Sequence, residues 1–286
     1  MKAAIVDVIR KGGLRRVAEK LEDQQIHSIR LKTEVMPEAE LELGVSKLGG
    51  LPDLPKGTEW PTWKDVPLSF IAQLRMSDVT AYDVENALPR SGILYFFYDA
   101  EEQPWGFRPD ERGGWKVLYY SDLSLLARTP PPPILPEESR FKACALQFSS
   151  EVTVPDNKSL YIEELELTQE EQNLLRTLLL QSEVFQEEDE ITHRLLGYPD
   201  QIQGEMQLEC QLVSHGLYCG DHTGYQDPRA AELKAGAMDW RLLLQVDSEE
   251  SAGMMWGSVG RLYYWIRHQD LKACNFDNVW LVLQCT

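Results

Sequence analysis

The run Ser46–Met76, SKLGGLPDLPKGTEWPTWKDVPLSFIAQLRM, decides how the chain is read. Gly49, Gly50 and Gly57 permit positive φ, whereas Pro52, Pro55, Pro61 and Pro67 fix φ and lack an amide donor. Helix is excluded. The run predicts a rigid, turn-rich loop that carries Trp60 and Trp63 into LSFIAQL, whose alternation predicts a half-buried strand.

That strand recurs. With Gln73 set over Gln245, LSFIAQLR (68–75) lies over WRLLLQVD (240–247), GILYFFY from Gly92 over GRLYYWI from Gly260, and WKVLYY from Trp115 over WLVLQC from Trp280. Three strand-like segments return in the same order, rich in the aromatic and branched residues that favour sheet. The expected fold is therefore α+β and β-rich: a mainly antiparallel, multi-sheet core with an internal repeat of three-stranded units and a few peripheral helices. Residues 1–286 are expected to form one domain, with units at about 68–120 and 240–286 flanking a mixed central region, 121–239. The second unit shows no proline-rich lead-in next to Trp240, so Trp60 and Trp63 read as a lip fitted to the first unit alone.

Around these units, Leu14, Val17, Ala18 and Leu21 fall at helical spacing, and IHSIRLKTEV from Ile26 reads as a strand ended by Pro37. TPPPPILP (129–136) predicts a stiff extended connector, with docking of a polyproline segment as the alternative. RFKACALQFSSEVTV from Arg140 predicts one or two strands. Thr168 with Glu171 three residues on predicts a capped helix with Leu174, Leu175, Leu178 and Leu179 on one face. The acidic block Glu187–Glu190 reads as the solvated start of a second helical segment, ITHRLLGYP, which Gly197 and Pro199 would end.

The chain has 286 residues with 43% hydrophobic and 9% aromatic content, enough to bury a core. Its 28 basic and 46 acidic residues give a net charge of -18, which disfavours nucleic acid and anionic membrane surfaces and complements a basic partner. Five scattered cysteines without a CxxC do not make a disulfide framework. With no secretory pattern at the N-terminus and no apolar run of about 18 residues, the expected location is the cytoplasm.

Few residues offer chemistry. His193 stands near Tyr198, Asp200 and Gln203, either as an acid/base or as a cap on a helix end. Gln73 and Gln245 are expected to point away from the Leu68/Phe70 and Leu242/Leu244 faces, holding a neighbouring loop or reading a polar ligand. Asp247 shares the face of Gln245 and precedes SEESAGMMWGSVG, a turn that would expose Met254, Met255 and Trp256 or bury them as core. His215, Cys219 and His222 are spaced loosely like a metal loop but lack a fourth ligand, and no cofactor is expected. Nucleophile-elbow, dinucleotide and phosphate-loop patterns are absent from the sequence.

The strings LGGLPDLPKGTEWP, PLSFIAQL, LLGYPDQIQGEMQLECQL, YCGDHTGYQDPRA, DWRLLLQVDS and MMWGSVGRLYYWI resemble the YwqG-like bacterial family of unknown function, in family order from about Leu43 onward. The resemblance implies a compact, multi-sheet α+β fold and no established activity. It also implies a setting beside bacterial polymorphic toxins, hence an immunity or binding role. The family pattern places an Asp where this chain has Ser258.

Two functional expectations follow. One is a non-enzymatic binding module for a protein partner, immunity-like against a basic toxin, acting through loops around Trp60, Tyr198 and Trp256. The other is an enzyme or binder of a small polar ligand, with Gln73, His193, Tyr198, Gln203, Gln245 and Asp247 lining a cleft between the two units and His193 as the catalytic group.

Overall fold

The computed structural model of the chain describes residues 3–156, 158–181 and 191–286. The acidic block at 187–190 lies outside the described residues. Fourteen strands are present among them. They are β1 (Ile26–Val35), β2 (Lys47–Leu48), β3 (Asp53–Pro55), β4 (Thr62–Trp63), β5 (Val66–Pro67), β6 (Ser69–Arg75), β7 (Ile93–Tyr98) and β8 (Trp115–Tyr120), followed by β9 (Leu126–Arg128), β10 (Cys144–Thr153), β11 (His193–Leu195), β12 (Trp240–Asp247), β13 (Arg261–Arg267) and β14 (Trp280–Gln284). Ten of them make one sheet in the order β14-β13-β12-β11-β1-β10-β2-β6-β7-β8, while β3 pairs with β9 and β4 with β5. Every pairing is antiparallel. The multi-sheet expectation is corrected accordingly: one large sheet forms the core, because it curls until its two ends meet.

The seam where they meet is aromatic. Trp115 of β8 and Trp280 of β14 pack edge to face with centroids 5.0 Å apart. Each indole N–H is spent on a carbonyl, Trp115 on Val279 at 2.9 Å and Trp280 on Gly106 at 2.8 Å. Across the interior, Phe96 of β7 stands edge-on to Tyr264 of β13 at 5.1 Å, so the two ends of the sheet share one core. The result is nearly a barrel. At the seam Trp115 and Trp280 are themselves buried, 4% and 3% exposed.

The centre of the sheet is the long β1–β10 pair, from Ile26↔Thr153 to Val35↔Cys144. On either side of it the order is the same: a short strand (β2 or β11), then a three-stranded meander (β6-β7-β8 or β12-β13-β14). The meanders share an irregularity. Ile71 in β6 and Leu243 in β12 are each the extra residue of a β-bulge, two positions before Gln73 and Gln245. A bulge shifts the alternation by one, so Gln73 comes to the same face as Phe70 and Gln245 to the same face as Leu242. The expected opposite orientation is thereby corrected.

The outer faces are covered differently. Leu68, Phe70, Ile93, Tyr95 and Phe97 are covered by Leu54, Trp60 and Trp63 of the glycine- and proline-rich run and by Leu123 and Leu126. Over β12 to β14 lie α6 (Gln207–Ser214), α7 (Thr223–Gln226) and α8 (Pro228–Leu233), reached after the short α3 (Met76–Val79), α4 (Leu160–Glu163) and α5 (Gln169–Gln181). Gln211 of α6 accepts from the Trp240 indole at 2.9 Å, and Gln207 donates to the Trp240 carbonyl at 2.7 Å. The helices α1 (Ala3–Lys11) and α2 (Arg15–Asp23) form a separate apolar cluster with α5 and Val154, while α9 (His268–Lys272) follows β13. Val17, Ala18 and Leu21 are the buried stripe of α2, as the spacing requires. Thr168 and Glu171 cap α5 reciprocally: the Glu171 amide donates to Thr168 Oγ1 at 3.2 Å and the Thr168 amide to Glu171 Oε2 at 2.9 Å.

The segment read as a second helix is instead β11. His193, Arg194 and Leu195 are buried between β1 and β12, and Leu196 and Gly197 then turn the chain with φ of 58° and 76°. A left-handed glycine followed by proline ends a strand as well as it ends a helix. Here a Cβ on Gly197 would meet Ser28 Cβ at 2.4 Å, so only glycine fits.

Candidate functional site

Two buried hydrogen-bond sets follow directly from that topology. In the first, Lys47 pairs across from Gln73, which pairs across from Tyr95. Gln73 is fully buried. Its Oε1 accepts from the Asp53 amide at 2.8 Å, and its Nε2 donates to Asp53 Oδ2 at 2.9 Å and to the Val45 carbonyl at 2.7 Å. The Tyr95 hydroxyl donates to the Asp53 carbonyl at 2.6 Å. Burial pushes the Asp53 carboxyl up, but Arg128, the Gly44 amide, Lys47 and Gln73 together hold it below the ordinary range.

The second set has the same form around Arg194, Gln245 and Tyr263, which pair across in that order. Gln245 Oε1 accepts from the Asp200 amide at 2.9 Å, and its Nε2 donates to Asp200 Oδ2 at 3.2 Å and to the Thr192 carbonyl at 2.6 Å. Tyr263 donates to the Asp200 carbonyl at 2.6 Å, and Arg194 meets Asp200 Oδ2 at 2.9 Å. Residues 194–200, RLLGYPD, thus serve β12 as 47–53, KLGGLPD, serve β6. No proline-rich run stands next to Trp240; the segment of like pattern, 194–200, is separated from it by the helical run that covers the outer face. A repeated R/K-L-x-G-x-P-D string was the available signal.

These sets fix the roles of both glutamines. Each spends both amide donors and accepts one bond on its oxygen in holding a loop. They also stand apart, because β11, β1, β10 and β2 separate β12 from β6. The six residues proposed to line one cleft are not brought into one hydrogen-bonded group.

His193 is 1% exposed. Its Nδ1 accepts from the Asp247 amide at 3.1 Å and its Nε2 lies 3.0 Å from Glu249 Oε2, so the ring is the neutral Nε2–H tautomer with both nitrogens used. Glu249 also accepts from Thr33 at 3.0 Å and Ser251 at 2.6 Å. Burial raises the Glu249 carboxyl, yet His193, Ser251 and Thr33 outweigh it and hold the group below its ordinary value. Asp247 accepts from the Thr192 and Ser248 amides and faces Arg261 Nε at 3.0 Å. Tyr198 is buried, with its ring 5.4 Å from Tyr161, and burial raises its hydroxyl. The Gln203 side chain is exposed, and its amide donates to Gln284.

Trp256 is fully buried rather than presented by an exposed turn. Its indole donates to the Asp247 carbonyl at 3.2 Å and its ring stands edge-on to Tyr98 and Phe141. Only Met255 of that turn is open to solvent among the three expected there. In the loosely metal-like segment, His215 Nδ1 is 2.6 Å from the Gln211 carbonyl, Cys219 is buried, and His222 is exposed. Among the described residues no group of three or more His, Cys, Asp or Glu side chains could hold a metal ion.

Trp60 is placed differently. Its indole donates to the Leu68 carbonyl at 2.8 Å and its edge meets Phe97 at 5.5 Å, while the ring lines a cleft of about 520 Å³. The floor is apolar, with Phe70, Phe141, Leu51 and Met36, and the proline connector supplies a wall through Pro131 and Leu135. Arg140 and Lys142 stand at its exposed lip, and Glu38 lies within it. The volume falls in the range of about 300–1,000 Å³ usual for ligand clefts. Pattern reading found Trp60 but missed its neighbours, because residues near 36, 51, 70 and 141 meet only through β1, β10 and the turn at Gly50.

Among the described residues no helix is long and apolar enough to cross a membrane. No curated protein matches the chain. The family model described as a domain of unknown function (DUF1963) matches residues 46–285, which include every strand after β1 and both Asp53 and Asp200 with their glutamines. The chain belongs to the DUF1963 family.

Proposed function

We propose that this protein is a non-enzymatic binding module whose partner, a protein, docks at the Trp60 cleft. One observation carries the reading: the open apolar cleft lies at Trp60, whereas His193, Gln73, Gln245 and Asp247 are buried and already engaged. A general acid or base needs a free site within reach of substrate. The acidic surface favours a basic partner and steers its approach, which agrees with an immunity-like role in a YwqG-like protein.

We also infer an internal duplication. Its support is the recurrence of register, bulge and aspartate set in the two meanders. In the resulting scheme β1 and β10 are equivalent strands exchanged between halves, each pairing with the short strand of the other unit.

The test replaces Val35, an exposed residue lining the cleft, with a photoreactive amino acid in the full chain, identifies the protein captured, and measures its affinity after purification. Val35→Glu should weaken that affinity at least about tenfold, and Val259→Glu, on another exposed loop, should not. Equal affinity of the Val35→Glu and parent proteins for the purified partner would sink the proposal.

A further inference from the structure

The cleft carries a charge opposite to that of the whole chain. Its exposed ionisable lining is Arg140 and Lys142, against a net charge of -18. Its carboxylate, Glu38, is already committed: Oε1 meets Lys47 Nζ at 2.7 Å and Arg128 Nε at 3.0 Å, and Oε2 accepts from the Leu51 amide at 2.8 Å. Asp53 completes that group, so two cations meet two anions there without surplus. The acidic neighbours of Arg140 in sequence, Glu137 and Glu138, do not line the cleft.

Donors remain at the lip. Arg140 uses Nε and Nη2 on the carbonyls of Leu135 and Pro133, and those bonds leave Nη1 out. Lys142 Nζ donates to the Ser251 carbonyl at 3.1 Å, one bond from a group with three donors. An aromatic floor with cationic donors at one side suits an apolar group that carries its anion close by. A carboxylate on the very residue that fills an apolar site belongs to a chain end, since an internal acidic residue has its carboxylate in place of the apolar group.

The other half of the sheet indicates the size of that group. Tyr198 stands three residues past Leu195 as Leu51 stands three past Leu48, and Leu195 and Leu48 hold matching pairings with β12 and β6. Over Tyr198 the chain supplies its own aromatic ring, Tyr161 at 5.4 Å. Beside Leu51 the corresponding space is the open cleft.

We propose that the cleft binds the C-terminal end of the partner polypeptide, with an aromatic or large aliphatic last side chain against Trp60, Phe70 and Phe141 and the terminal carboxylate on Arg140 and Lys142. The proposal rests on the reading of this cleft as the partner site. Charge-assisted bonds to a carboxylate are the strong ones, and capture of a chain terminus is a recurring mode of peptide recognition. The acidic remainder of the surface then attracts a basic body while the basic lip reads its end.

The full-length protein is titrated by fluorescence anisotropy with dye-labelled hexapeptides that have basic bodies and end in Phe, as the free acid and as the C-terminal amide. N-acetylphenylalanine serves as a small-acid competitor. The free acid should bind about tenfold tighter than the amide, and Lys142→Gln combined with Arg140→Gln should abolish that difference, whereas Arg140→Lys should keep part of it. Unfolding midpoints of each variant confirm an intact fold, and Lys142→Gln alone, at an exposed position, should still reduce the difference. Equal binding of acid and amide overturns this proposal while leaving the partner-site reading to its own crosslinking test. No binding up to about 1 mM overturns it as well, as does binding of N-acetylphenylalanine with no gain from the peptide.

Discussion

Asp53 and Asp200 are held in the same way against β6 and β12 of one sheet. Each gives its amide to a glutamine oxygen, at 2.8 and 2.9 Å, and each receives a tyrosine hydroxyl on its carbonyl at 2.6 Å. Both aspartates end a G-x-P-D turn, and in both cases the glutamine sits just past a β-bulge. The bulge turns each amide onto the face where the loop lies, so loop and strand are fixed by one side chain.

Gln73→Ala should therefore destabilise the fold by about 2 kcal/mol, since it leaves the Asp53 amide and Val45 carbonyl buried without partners. Gln245→Ala should do the same at the other end. Gln203→Ala, at an exposed side chain, should stay within about 0.5 kcal/mol. Urea unfolding of the three variants checks the contrast.

His193→Ala should cost on the order of 3 kcal/mol, because Glu249 would lose its ring donor while still buried. His193→Gln, which retains a donor, should cost less. The unfolding midpoint reads both costs.

The same carboxylates set the acid limit. Asp53 and Glu249 have folded values below their ordinary 3.8 and 4.5, so the unfolded chain binds more protons as pH drops. Their stabilisation is complete above the unfolded values and is lost as pH falls through the folded ones. Midpoints measured from about pH 4.5 to 3 should decline, and the decline should be shallower in Asp53→Asn.

Glu205 and Glu209 act in the opposite sense. Burial raises them to about 7 and about 8; next to them, the α6 amides lower Glu205, and Glu205 and Glu111 push Glu209 further up. The folded state holds protons that the unfolded chain has released above its ordinary value of 4.5, so their contribution is full below that value. Stability should fall as pH rises from there towards 8. Glu209→Gln should flatten this slope in denaturant titrations, and an unchanged slope would count against it.

Trp256→Ala should destabilise by roughly 3–5 kcal/mol through the cavity left between Tyr98 and Phe141. Trp256→Phe should cost less, while losing the bond to Asp247. Circular dichroism melts distinguish the two.

Much of the fold was legible where it depends on neighbours in sequence. The Thr168–Glu171 cap, the Ile26–Val35 strand and the six meander strands are local patterns, and all are present. The second turn was misread because Gly197 and Pro199 mark the end of either a helix or a strand, and only burial of Arg194 and Leu195 on both sides decides between them. A single bulged residue leaves no mark in alternation, so the direction of Gln73 could not be foreseen. In the candidate site, Trp60 was visible as an oddity, but its cleft depends on pairings between residues a hundred positions apart. Trp256 shows the reverse: its Gly- and Ser-rich turn is largely exposed, yet the Trp256 ring itself is buried against Phe141.

The placement of β1 sets the order in which the molecule can assemble. Its partners are residues 144–153 and 193–195, so during synthesis both its edges wait for chain that has not yet been made. Long-range antiparallel pairing of this kind folds slowly and leaves transiently open strands that aggregate. Recovery of native protein should thus depend on chaperone supply and growth temperature more than on equilibrium stability, and variants that weaken β1 should be lost in the cell before they show a lower melting point in the tube.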